Sequence, residues 1–367
     1  MKNGIINVYK ERGFTSFDVV AKLRGILKEK KIGHTGTLDP DATGVLPVCV
    51  GNATKVCALL TDKDKVYEAV LHLGLTTDTL DASGTVLTDC SAAAAELTED
   101  EVRAAVLQFV GTYEQVPPMY SALKVNGKKL CDLARAGVEV ERKARKVTIF
   151  SIDIIKMELP LVTMRVHCSK GTYIRSLCAD IGEKLGVGGR MDALVRTRVS
   201  AFTLENAHTL AEIEEYRDRE ALDELMMPVD TVFAELPGRQ VKPEAVRLLM
   251  NGNRLVEDDF AAGCDLEFQK QPVWDVMKVV SECGQEKSVA DTVREGERMQ
   301  SVENIADENR QERSGVHAVS HGQQAQESAD VINKNNWIRV YDDKNIFRGI
   351  YQKLPEEGNY KPVKMFL

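Results

Sequence analysis

No apolar run in this chain approaches the roughly 18 residues of a membrane-spanning helix. The opening MKNGIINVYKERG also lacks the long apolar stretch of a secretory signal. Cytoplasm is therefore the expected compartment. Cysteine stands at 49, 57, 90, 131, 168, 178, 264 and 283, never as CxxC and never clustered with histidine at zinc-ligand spacing. The thiols read as reduced core fillers. In the adjacent pair His167 and Cys168 a strand would send the two side chains to opposite faces, so no metal site is expected. No GK[ST] follows a glycine pair, which excludes a P-loop nucleotide enzyme, and no internal repeat or long heptad pattern is present.

What is present is an ordinary globular composition: 367 residues, 43% hydrophobic, enough for two domains and a sizeable core. The net charge of −8 argues at first against a nucleic-acid partner, because phosphate contacts usually leave a basic footprint. Its distribution reverses that reading. Residues 281–330 carry a net −6 and no Phe, Trp or Tyr, and are expected to be disordered because they cannot bury enough apolar area to offset chain entropy. Residues 122–147 carry a net +5, and Lys22, Arg24, Lys28, Lys30 and Lys31 form a second basic cluster. Taken alone, either cluster is equally a solvated face.

Periodicity predicts a helix over 16–31, capped by Ser16 with Val19, Val20, Leu23, Ile26 and Leu27 as its buried stripe. A second helix is expected over 99–110, with Thr98 and Glu101 as capping box and Gly111 as stop; Thr209 and Glu212 should open a third near 210. Strands are expected over Val66–Leu73, with Tyr67, Ala69, Leu71 and Leu73 buried, and over Val147–Ile155 and Leu161–Cys168, joined around Pro160. Without a regular βαβ repeat, the class is α+β with a largely antiparallel sheet. After Pro237-Gly238 the pattern changes, and WIRVYDDKNIFRGIYQKL suggests a hairpin turning at Asp342-Asp343.

The run GHTGTLDPDATG, Gly33 to Gly44, places Asp39 among turn formers, with Pro40 fixing φ just after it. Such a loop can aim one carboxylate, although a lone Asp-Pro among glycines is more often a structural turn. The whole string resembles the catalytic loop of the bacterial tRNA pseudouridine synthases of the TruB family, whose GHTGxLDP carries the essential aspartate. The resemblance continues through Tyr67, GLTTDTLDASG at 74–84, PPMYSALKVNGKKL with its continuation to 135, and KGTYIRSLCADIG at 170–182. It covers most of residues 1–235.

The resemblance implies a pseudouridine synthase fold over 1–236, with a basic tRNA-gripping insertion at about 117–146. A small PUA-like RNA-binding domain over 237–367 would follow, interrupted by the acidic insertion at about 281–333. It implies isomerisation of uridine 55 in the T loop of tRNA, a redox-neutral reaction needing no cofactor, with Asp39 as the catalytic carboxylate. Asp39 could serve as nucleophile or help abstract a sugar proton. A carboxylate in a closed pocket needs a cation partner to stay ionised. Arg175 is the candidate, since a cation in a helix's first turn opposes the macrodipole and needs an anion beside it, and KGTYIRS matches the family's aspartate-pairing arginine. Tyr67, in VYEA, matches the tyrosine that stacks on the target base. His34 matches a wedge that fills the flipped nucleotide's place, and Tyr173 and Leu194 match further pocket positions. Lys124, Lys128, Lys129, Arg142 and Lys143 would contact T-arm phosphates.

Two departures stand out. LVRTR replaces the family's LRRTR, so Val195 removes a basic residue, and Lys10-Glu11 replaces lysine-proline, so a less rigid loop is expected there. The expected partner is tRNA, not DNA or a membrane, engaged by a monomer. The rivals are a guide-RNA-dependent synthase, which would lack the basic insertion, and a tRNA-folding chaperone with incidental catalysis.

Overall fold

Alternation from Lys65 to Leu73 buries Tyr67, Ala69, Leu71 and Leu73 on one face. In the computed structural model, which describes residues 3–266, 336–355 and 358–367, this strand lies at the middle of a nine-stranded sheet. Leu161–Cys168 and Gly189–Val199 flank it, both antiparallel. Arg145–Glu158 and Gly111–Gln115 extend the sheet on one side. Thr43–Val50 and Gly4–Lys10 extend it on the other. The pairing of Thr43–Val50 with Gly189–Val199, Val195 opposite Thr43 and Arg196 opposite Gly44, is parallel. The α+β class with a largely antiparallel sheet is therefore borne out.

Helix Ile174–Lys184 buries Ile174, Leu177 and Ile181 against Tyr67, Leu71, Met164, Val166 and Leu194. At about 1.5–3 kcal/mol for each fully buried aliphatic side chain, this packing fixes the helix, and with it Arg175, on the sheet. Helix Ser16–Leu27 packs Val19, Val20, Leu23 and Ile26 on Ile6, Val8, Leu46 and Val48. Strand Thr43–Val50 thereby holds the 33–44 loop between two helix-backed cores.

The helix expected over 16–31 ends at Leu27, where Lys28 takes a left-handed conformation, and its cap is Thr15, whose side chain accepts from the Asp18 N–H. Adjacent hydroxyls made the choice ambiguous; Ser16 is engaged instead with the backbone of Leu38. The second helix, Glu99–Leu107, has the expected Thr98–Glu101 capping box, and Gly111 opens the next strand. Thr209 and Glu212 cap Leu210–Asp218 as expected.

The described chain divides into two compact units, Met1–Val232 and Phe233–Leu367. The second is built on a six-stranded sheet in the order Leu255–Val256, Asn359–Met365, Phe347–Leu354, Trp337–Tyr341, Gly238–Val241, Phe260–Leu266. Val241, Leu249, Ile338, Val340, Tyr351 and Tyr360 form its core. The expected hairpin is present: the Asp342 carboxylate accepts from the Lys344 and Ile346 N–H groups between Trp337–Tyr341 and Phe347–Leu354. The acidic insertion of about 281–333 lies outside the described residues.

Candidate active site

The loop that carries Asp39 is fastened at several points. Ser16 Oγ, buried, accepts the Leu38 N–H at 2.9 Å. Lys10, fully buried, donates from Nζ to the carbonyls of Pro40 at 2.9 Å, Glu11 at 3.1 Å and Phe14 at 2.6 Å. Burial lowers the Lys10 ammonium to about 8. Where Glu11 in place of proline led to the expectation of a less rigid loop, Lys10 ties the loop through three of its carbonyls. Arg196, 1% exposed, donates from Nε to Val45 O at 2.7 Å and from Nη2 to Gly36 O at 3.3 Å. Gly44, at φ +103°, lies so close to this strand that a Cβ there would stand 2.3 Å from Arg196 O; the parallel pairing needs glycine.

Arg175 and Asp39 meet as a fork on a carboxylate. Arg175 Nη2 donates to Asp39 Oδ1 at 3.1 Å, and Nε lies 3.0 Å from Oδ2. Arg175 Nη1 reaches Asp81 Oδ2 at 3.3 Å and Thr79 O at 3.1 Å, and Nη2 also donates to Tyr120 O at 2.8 Å. The guanidinium side chain is 6% exposed, whereas that of Asp39 is 36% exposed, so the cation is buried beneath a carboxylate that faces outward. Burial raises the Asp39 carboxyl above the usual carboxylate range, with Asp81 adding to the rise and Arg175 opposing it. A planar, permanently charged fork is suited to keeping such an acid ionised and oriented.

Sequence reasoning gives Asp81 no role. Its Oδ1 accepts from the Ser83 N–H and from the Thr79 and Ser83 hydroxyls. Ala82 N–H donates to Met191 O, and Met191 N–H to Leu80 O, docking this turn on the sheet. Locally the segment reads as an Asx turn, and nothing in it signals a shared arginine.

Tyr67 and Leu194 are both 8% exposed and share the core cluster with Leu38 and Ala42. Burial pushes the Tyr67 hydroxyl up to about 12, with the nearby Arg196 guanidinium opposing the rise. A bulge between Arg196 and Arg198 puts these two arginines on opposite faces: Arg196 pairs with Tyr67, while Arg198 reaches Asp64 and His167. His167 is thus engaged with Asp64 at 2.7 Å, while Cys168 is buried.

His34 is half-buried, its Nδ1 accepting the Gly36 N–H at 3.3 Å; burial and the nearby Arg196 lower its pKa. Tyr173 caps the Arg175 helix and exchanges backbone hydrogen bonds with the Gln115 amide. Val195 is buried opposite Glu68, and Arg165 supplies Glu68 with two hydrogen bonds of 3.1 and 2.8 Å. Lys124, Lys128 and Lys129 are exposed on a short hairpin. Lys143 is exposed, but Arg142 is half-buried and donates to Pro117 O at 3.2 Å. Among the described residues no group of three or more His, Cys, Asp or Glu could hold a metal ion, and no helix is long and apolar enough to cross a membrane.

The profile described as the TruB family pseudouridylate synthase N-terminal domain matches residues 24–174, and that of the tRNA pseudouridylate synthase B C-terminal domain matches 175–234. The chain belongs to the TruB family. A TruB-family relative from Lachnoclostridium phytofermentans, a tRNA pseudouridine synthase B, is 50% identical over 374 residues, covering 100% of both chains. Another, from Clostridium kluyveri, is 47% identical over 70% of this chain and 87% of its own. Among solved structures, a chain of a Cbf5-Nop10-Gar1 complex matches with a TM-score of 0.62 at 24% identity, covering 99% of this chain and 85% of that one, a likeness of fold. This TruB-family chain is a pseudouridine synthase acting on tRNA.

Proposed function

We propose that the enzyme isomerises uridine 55 in the T loop of tRNA, with Asp39 as its catalytic carboxylate and no cofactor. The observation that carries this reading is the outward-facing Asp39 held by the buried Arg175 fork. Breaking the C1′–N1 bond leaves electron deficiency at C1′ and an electron pair on the uracil ring. An ionised carboxylate at the sugar meets that need, either by bonding to C1′ until C5 takes its place or by removing a sugar proton and returning it. The proton lost from C5 is balanced by one gained at N1, so no oxidant is required. Tyr67 supplies a ring for the displaced base. Its hydroxyl, pushed up to about 12, stays protonated at neutral pH. His34, its pKa lowered, serves as a flat neutral wedge.

Lys124, Lys128, Lys129 and Lys143 would track T-arm phosphates, which favours direct tRNA binding over guide-RNA dependence. Arg142 would stiffen the same insertion through Pro117 O. In this reading the enzyme is a cytoplasmic monomer, with 237–367 as a PUA-like RNA-binding domain. The test is tritium release from C5-labelled tRNA transcripts with and without a uridine at position 55. Release that disappears when uridine 55 is replaced supports the site assignment; undiminished release without it overturns it.

A further inference from the structure

The cleft over Asp39, about 200 Å³, is lined by four carboxylates, those of Asp39, Asp41, Asp81 and Asp192. Three are paired with basic side chains within the protein. Asp39 and Asp81 share Arg175, and Asp192 lies between His72 Nδ1 and Arg190 Nε, each at 2.8 Å. Asp41 has Arg12, at 3.7 Å, with both side chains about three-fifths exposed, at 63% and 60%. Among the described residues lining the cleft, Arg12 is the sole basic one.

An ion pair so long and exposed contributes only about 0–1 kcal/mol, so little holds Arg12 to Asp41. Its backbone is nevertheless fixed relative to the reacting carboxylate. Lys10 Nζ binds Glu11 O on one side of it, Gly13 N–H donates to Pro40 O at 3.0 Å on the other, and the same Lys10 binds Pro40 O. Arg12 is therefore a loosely paired guanidinium on a rigid turn at the mouth of an acidic cleft. A uridine reaching Asp39 carries a phosphodiester on each side, and a cleft whose four carboxylates outnumber the arginines paired with them repels both. The fork of an arginine matches a phosphate in geometry and charge.

We propose that Arg12 exchanges Asp41 for a backbone phosphate flanking the target uridine, holding that nucleotide in the cleft. The inference rests on the assignment of Asp39 as the reacting carboxylate. It adds a phosphate contact outside the basic insertion of 117–146.

The experiment uses the full chain and T-arm stem-loop RNAs in which one phosphate, 5′ or 3′ of the target uridine or in the distal stem, is a neutral methylphosphonate. Single-turnover rates against enzyme concentration give half-saturation and maximal rate for wild type, Arg12→Ala, Arg12→Lys and Asp39→Asn. Arg12→Ala should raise half-saturation about ten- to a hundredfold, the range expected of a charged hydrogen bond, with partial rescue by lysine and an unchanged melting temperature. One flanking methylphosphonate should cost wild type a similar factor and cost Arg12→Ala almost nothing more, while the distal one affects both equally. Losses that simply multiply at both flanking phosphates, or wild-type half-saturation in Arg12→Ala, would overturn the proposal. Undiminished turnover in Asp39→Asn would instead refute the site assignment beneath it.

Discussion

Replacing Arg175 by lysine keeps the buried charge and removes the fork. The arginine makes five polar contacts: two with Asp39, one with Asp81, and one each with the carbonyls of Thr79 and Tyr120. A lysine offers three donors from one nitrogen and cannot span two carboxylates and two carbonyls. At least two charged hydrogen bonds disappear, at about 1.5–3 kcal/mol each. Because charge remains under Asp39, most of that loss should appear as misplacement of the carboxylate, and about 1 Å of misplacement costs on the order of 100-fold in rate. Arg175→Ala, by contrast, leaves Asp39 and Asp81 without their shared cation. Breaking such a buried pair costs about 3–5 kcal/mol, or roughly 10 °C at about 2–4 °C per kcal/mol for a unit of this size.

Stopped single-turnover assays at saturating enzyme, run from acid to neutral pH beside thermal melts, separate the two effects. Burial raises the Asp39 carboxyl and Arg175 opposes the rise, so a weaker partner leaves Asp39 less ionised at a given pH. The acid limb of the rate profile should therefore move to higher pH in Arg175→Lys. Equal rates and coincident limbs in wild type and Arg175→Lys would refute the pairing as the source of activity.

Three further outcomes are expected. Ser16→Ala removes the acceptor of a buried Leu38 N–H, which should destabilise by about 1–3 kcal/mol and lower the single-turnover rate; denaturant titration and rate assays check both. Tyr67→Phe keeps the ring and removes a hydroxyl that stays protonated below about 12, so the alkaline side of the pH–rate profile should keep its shape to pH 10. Replacing Lys124, Lys128, Lys129 and Lys143 together by alanine should reduce the salt slope of tRNA binding, by up to about 0.7–0.9 for each phosphate no longer neutralised. An unchanged slope would move the footprint elsewhere.

The parts of this site that were legible in the sequence are those written in contiguous residues. Glycines and a proline present Asp39 and the first turn of a helix presents Arg175, but residue type alone reads as a structural turn and a surface ion pair. The resemblance of GHTGTLDP and KGTYIRS to the family's motifs singles the two out, and the fork joins them. Asp81 was not legible, since the turn around it satisfies its own carboxylate locally and conceals an arginine 94 residues away. Arg196 was hidden for another reason. The bulge after it breaks strand alternation, so a charged residue in a strand became a fully buried clamp on Gly36 and Val45. Thr15 and Ser16 both carry hydroxyls fit to cap a helix, and only the docking of Leu38 decides which one does so. Lys10 shows the same limit, since its three carbonyl partners lie at 11, 14 and 40.

The central claim is that the Asp39 carboxylate performs the chemistry, and Asp39→Asn tests it most directly by keeping the shape and removing the charge. The measurement is pseudouridine formed per bound tRNA under single-turnover conditions, beside tRNA affinity for the same protein. The account predicts near wild-type affinity with turnover reduced to background. Turnover above a few per cent of wild type, with tRNA bound, would contradict it.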